Sequence, residues 1–136
     1  MGFFDLGPYD NDFALDWLGE HTETDSIDTL LDDLCRETVR PEVLDADAAA
    51  FVLATTALLL DLAGLRQHRP PDCPRPAFTG QTVTAAHWRR LLPLLDRVPH
   101  SEITVLLRGS PASQALWLEN AGRIRADVIA MCVQQS

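Results

Sequence analysis

The sequence predicts an all-α protein: a single compact bundle of five or six helices with an apolar central helix at about 45–65. Three observations predict it. Apolar residues recur at helical spacing in successive segments, no alternating Val/Ile/Thr run is long enough for a sheet, and Pro or Gly separates the periodic segments. At 136 residues, 46% hydrophobic and 23% charged, the chain suits one domain spanning 1–136 whose core needs no staple.

Gly7-Pro8 is a turn signal, after which Asp10, Asn11 and Asp12 offer N-caps for a first helix with Phe13, Ala14, Trp17 and Leu18 on one face. Tyr9 is placed to act as a hydrophobic staple, and Asp10, Asp12 and Asp16 lie near the positive end of the helix dipole. Gly19 and the polar stretch 20–25 close this helix. In the second, Ile27, Leu30, Leu31, Leu34 and Cys35 follow the i, i+3, i+4, i+7, i+8 pattern, with Asp28, Asp32 and Asp33 toward the other side, and the helix stops before Pro41. Asp45 caps the third, which is apolar nearly all round, as a helix enclosed by others must be.

Residues 66–81 hold four prolines and little periodicity, so they form a Pro-rich internal loop, with room for one short extended segment at 79–83. Thr84 caps a fourth helix with Trp88, Leu91, Leu92 and Leu95 inward; Pro93 within it should kink or split it, since an interior proline costs about 3 kcal/mol. Ser101-Glu102 opens a short fifth helix with Ile103, Leu106 and Leu107, ended by Gly109. Pro111 starts the last helix, whose stripe is Leu116, Trp117, Ile124, Val128 and Met131.

The net charge is −9, which argues against a nucleic-acid surface. The charge is uneven: residues 1–47 carry 14 acidic and 2 basic side chains, net −12, while the remainder is net +3. All 11 basic residues are Arg, a side chain suited to bidentate pairing, so part of the acidic front is open to neutralisation by the back half. Cys35, Cys73 and Cys132 form no Cys-x-x-Cys pair, which points to reduced thiols and a cytoplasmic setting. The N-terminus lacks the basic region and cleavage site of a secretion signal, and no apolar stretch reaches the roughly 20 residues that span a bilayer.

The opening Met1-Gly2-Phe3-Phe4-Asp5-Leu6-Gly7-Pro8-Tyr9-Asp10-Asn11-Asp12, followed by Ala14, Asp16 and Trp17, resembles a bacterial family of domains of unknown function. Its members begin Met-Gly-x-Trp-Gly-x-Gly-Pro-Phe-Asp-Asn-Asp and continue Ala-x-Asp-Trp or Asp-Phe. Asp45-Ala46-Asp47 with the Ala-rich helix, Ser101-Glu102-Ile103 and Trp117 are similar in type and order, so the resemblance covers most of the chain. Phe4 and Asp5 depart from the family's Trp-Gly, and Leu107 stands where a Trp is usual. The resemblance implies a small helical cytoplasmic bacterial protein and brings no activity with it.

Two constellations bear on chemistry. Asp10, Asp12 and Asp16 have the residue type for a hard cation, although helix capping explains them as well, and the spacing excludes an EF-hand because Leu15 and His21 stand where its Gly and Glu belong. His68, Asp72, Cys73 and His87 combine on paper into a metal or thiol site, but match no defined signature; the alternative is loop residues plus one helix-surface histidine. No phosphate loop, serine elbow, His-Glu-x-x-His or dinucleotide fingerprint occurs, so no catalytic residue, metal ligand or cofactor is assigned and the balance tips away from an enzyme. Trp17, Trp88 and Trp117 lie on apolar stripes, where core packing is the default and an exposed ring would mark an interface.

The expected function is therefore an acidic protein-binding module that presents Asp28, Asp32, Asp33 and Glu37 to a basic partner protein, as an immunity or antitoxin-like inhibitor does, with no nucleic-acid or membrane partner. The alternative is a small-molecule or metal-assisted site at the turn Gly7-Pro8-Tyr9-Asp10-Asn11-Asp12. For that turn with Trp17, the structural reading is a lock of the N-terminus onto the core.

Overall fold

The computed structural model describes residues 12–21, 26–39, 42–65, 78 and 81–135. Every regular element among them is helical: α1 Asp12–Glu20, α2 Ile27–Thr38, α3 Ala46–Leu62, α4 Ala85–Arg97, α5 Glu102–Leu106 and α6 Pro111–Gln134, with 3₁₀ turns at Val98–His100 and Leu107–Gly109. The chain is thus an all-α bundle. Of the Pro-rich loop, 66–77 and 79–80 lie outside the described residues, as do residues 1–11 of the N-terminal turn. None of the described helices is long and apolar enough to cross a membrane.

α3 occupies the centre because its sequence has no polar face to give to water. Thirteen of its seventeen residues are buried, from Ala46 to Leu60, and it touches α1, α2, α4, α5 and α6. Its alanines let the surrounding helices approach closely, while Leu53, Leu58, Leu59 and Leu60 supply buried volume. α4 and α6 run antiparallel: Gln135 Nε2 donates to the Val83 carbonyl at one end, and Arg125 Nε pairs with Asp96 at 2.5 Å near the other. Trp17, Trp88 and Trp117 are all buried in this core.

α3 ends at Leu62, three residues short of the expected Leu65, and Gly64 is the reason. Its φ of +98° lets the Gly64 amide donate to Asp61 O and the Leu65 amide donate to Leu60 O, the pair of bonds that makes a Schellman close. A Cβ at Gly64 would meet no atom within 4 Å, so a side chain there is opposed by the backbone alone. Gly64→Ala is expected to lower stability by about 1–2 kcal/mol, seen as a lower urea midpoint at unchanged m value.

Other expectations change in detail. Pro93 does not split α4, which is continuous from Ala85 to Arg97; Pro93 and Arg89, whose carbonyl the proline deprives of its helical donor, are both exposed residues. Phe13, Leu106 and Leu116, apolar positions of their helices in the sequence, are exposed. α5 is a short helix whose Ile103 reaches the core. On α2 the buried set is Ile27, Leu30, Leu31, Leu34 and Thr38; Thr38 tolerates burial because its hydroxyl donates to Leu34 O at 2.9 Å, and Cys35 turns half out toward α4. Asp45 occupies the N-cap position of α3 without a side-chain cap bond. Buried Trp88 Nε1 and Ser101 Oγ lack a hydrogen-bond partner among the described residues.

Candidate functional site

The polar chemistry of the described residues gathers on α2, whose acidic side chains are paired with basic side chains from both flanks. From α4, Arg90 NH2 donates to Asp32 Oδ1 at 2.6 Å while its NH1 lies 3.7 Å from Asp28 Oδ1. Arg90 NH2 also lies 3.7 Å from Cys35 Sγ. Burial works against this charge, but the hydrogen bonds to Asp32 and Cys35, and the field of both, outweigh it and hold the guanidinium above its ordinary range. Next to Arg90, His87 Nε2 is 3.1 Å from Asp28 Oδ1.

His87 is buried, where the sequence pattern suggested a surface position. The signal was present: His87 stands three residues after the N-cap Thr84, the place where a capping box puts Glu or Gln. Its Nδ1 accepts the Thr84 amide at 2.9 Å, so Nδ1 carries no proton and Nε2–H is the donor to Asp28. Burial follows because both ring nitrogens are satisfied.

On the opposite flank, His21 follows the last residue of α1 and its Nδ1 donates to Trp17 O at 2.8 Å. Its Nε2 faces Asp33 Oδ2 at 3.2 Å, and Arg36 pairs with the other Asp33 oxygen. A proton on Nε2 makes this a charge-assisted bond. Without one, two lone-pair surfaces oppose each other. The His21 ring lies against Trp17, 4.0 Å between centroids, and Trp17 stacks on Phe51 and donates from Nε1 to Thr55 Oγ1 at 2.8 Å. A chain of contacts therefore runs from α3 through Trp17 and His21 to Asp33 on α2.

Two His–Asp pairs thus bracket α2, and their geometry is that of staples between helices. Neither imidazole offers a free ring nitrogen to a substrate or an ion, since each has one nitrogen on the backbone and the other on a carboxylate. Among the described residues, no group of three or more His, Cys, Asp or Glu is placed to hold a metal ion. A cavity of about 260 Å³ opens at the C-terminal end of α3, between Gln81, Val83, Met131 and Gln135, and no titratable side chain is found among its described lining residues.

Of the four residues assigned to partner binding, Asp28 and Asp32 keep side chains 71% and 60% exposed while paired with Arg90, Asp33 is 25% exposed beside His21, and Glu37 is exposed. The structure gives Asp28, Asp32 and Asp33 an internal task that spacing alone did not reveal. The Arg-bearing back half does neutralise part of the front, through Arg90. Arg97 adds a different link, donating to the carbonyls of Thr38 and Glu42 and so clamping the turn into α3. Gly7, Pro8, Tyr9, Asp10 and Asn11 lie outside the described residues, as do His68, Asp72 and Cys73; Asp12 begins α1, and Asp16 is exposed one turn on.

No curated protein and no solved structure matches the chain. A family model does, over residues 2–121, and that span takes in α1 to α5 and the first half of α6. The chain accordingly belongs to the family described as Domain of unknown function (DUF4259).

Proposed function

We propose that the chain is a protein-binding module that engages a partner with a basic surface, in the manner of an immunity or antitoxin-like inhibitor. One observation carries this reading. Among the described residues from α1 to the start of α3, Asp16, Glu20, Asp28, Asp32, Glu37, Glu42 and Asp45 are all exposed, against the exposed cation Arg36. Such a field draws a basic protein in from a distance and orients it before contact. Arg90, His87 and His21 hold Asp28, Asp32 and Asp33 in place, so these carboxylates meet a partner with little further ordering cost. The free thiols of Cys35 and Cys132 fit a reducing, cytoplasmic setting.

The test is affinity capture from the native host at low and high salt, followed by mass spectrometry. A basic partner is expected at low salt and is lost at about 1 M, where screening acts within roughly 3 Å. Glu37→Lys should weaken capture with the fold intact, because Glu37 is exposed and supports no described contact. A partner that survives high salt, or that ignores the reversal at Glu37, would sink the reading.

A further inference from the structure

Among the described residues, the outer face of α6 is an extended apolar surface that the packing of the monomer does not cover. α6 spans Pro111–Gln134, about 36 Å at 1.5 Å per residue, and packs its Trp117, Ala121, Ile124, Val128 and Met131 side inward. Its opposite side is also apolar. Of the four charged residues between 112 and 133, Glu119 and Arg123 are exposed, Arg125 is paired with Asp96 of α4 and Asp127 is half-buried, although the chain as a whole is strongly acidic. The exposed Ala115, Glu119, Gly122, Ala126, Ile129 and Val133 are separated by alternating steps of four and three, the seam of a helix that packs on another helix.

Gly122 is the second observation. It sits in the middle of a long helix, where glycine is unfavourable relative to alanine. Neither the backbone nor the packing of the monomer requires it: its φ is not positive, and a Cβ there would meet nothing within 4 Å. A glycine on an exposed helix face leaves room for the close approach of something outside the monomer.

We propose that a second copy of this chain docks antiparallel on this face, forming a twofold pair of α6 helices. Charge selects the occupant and the register. The face is electrically neutral, so two acidic chains meet over it without a like-charged contact, and it offers no field to the basic partner considered above. With the twofold axis near residue 121, Glu119 of each copy lies over Gly122 of the other and beside its Arg123. The glycine leaves room for the glutamate stem, and the pair forms twice by symmetry. The same register sets Ala115 against Ala126 and Ala112 against Ile129. Sliding the helices by one heptad would place Glu119 against Ile129, a charge set on an apolar side chain and away from the other copy's Arg123.

Sedimentation equilibrium of the full chain over a concentration series tests this. The expected result is reversible formation of a species of twice the 15.0 kDa chain mass. Ile129→Glu should abolish it while the circular dichroism spectrum and thermal midpoint of the monomer stay unchanged, because Ile129 lies outside the core cluster. Glu119→Arg and Arg123→Glu should each abolish the dimer, and the double swap E119R/R123E should restore it. A chain that stays monomeric throughout, or an Ile129→Glu variant that still dimerises, overturns the proposal. Failure of the double swap to restore association overturns the antiparallel register.

Discussion

Replacing Trp17 by alanine is expected to cost about 3–5 kcal/mol of stability, the range for removing a large aromatic ring from a core. Trp17 is 3% exposed, and three separate interactions end on it. Its ring stacks on Phe51 with centroids 4.6 Å apart, its Nε1 donates to Thr55 Oγ1, and its other side meets the His21 ring. Alanine removes all three, leaving a cavity between α1 and α3 and an unpaired hydroxyl on Thr55. Trp17→Phe keeps most of the ring and should cost about 1 kcal/mol for the lost hydrogen bond, beyond the smaller packing loss. Urea denaturation of both variants separates the two contributions. A loss below about 1 kcal/mol for Trp17→Ala would mean that α1 is not anchored through this ring. Because His21 hangs on Trp17, the alanine variant should also loosen the contact with Asp33, visible as faster amide exchange at the end of α1 and along α2.

Ala54→Leu is expected to destabilise by about 1–3 kcal/mol, the usual consequence of forcing methylenes into a filled core. Ala54 is fully buried, in the middle of a helix that contacts five others. Ala54 has no exposed surface, so the neighbours must move apart or the side chain must leave its rotamer. The larger apolar side chain makes this a test of enclosure as distinct from hydrophobicity: a rise in the denaturation midpoint would show that α3 is not closed on all sides.

The residues of the site were more legible than its wiring. Thr84 as a cap, the end of α2 before Pro41 and the burial of all three tryptophans follow from local rules that need nothing beyond a few neighbouring residues. His87 carried a local signal too, at the third position after Thr84, but the signal belongs to Glu and Gln and is easily passed over in a histidine. Its second bond was not readable at all, because Asp28 lies 59 residues away in the chain. The acidic face of α2 looked like a free surface for the same reason: spacing shows which carboxylates share a side, and not which cations another helix will bring to them. Gly64 could have been read, since glycine just past an apolar run is a stop signal. It was masked by Leu65, which made the apolar pattern look longer than the helix.

What the sequence by itself determined is the helical architecture and its centre. Periodicity of 3.6, caps and breakers act within a turn or two of chain, and a segment apolar on every side has one place to go, so α3 became the core without reference to any partner helix. The tertiary structure alone decided which charges are spent inside the molecule and which remain outside. Pairings such as Arg90 with Asp32, His21 with Asp33 and Trp17 with Thr55 depend on how helices cross, and helix crossing is set by the packing of whole faces. The outer face of α6 shows the same division. Its apolar composition was always in the sequence, but only the packed bundle shows that α6 has two such faces and has buried just one.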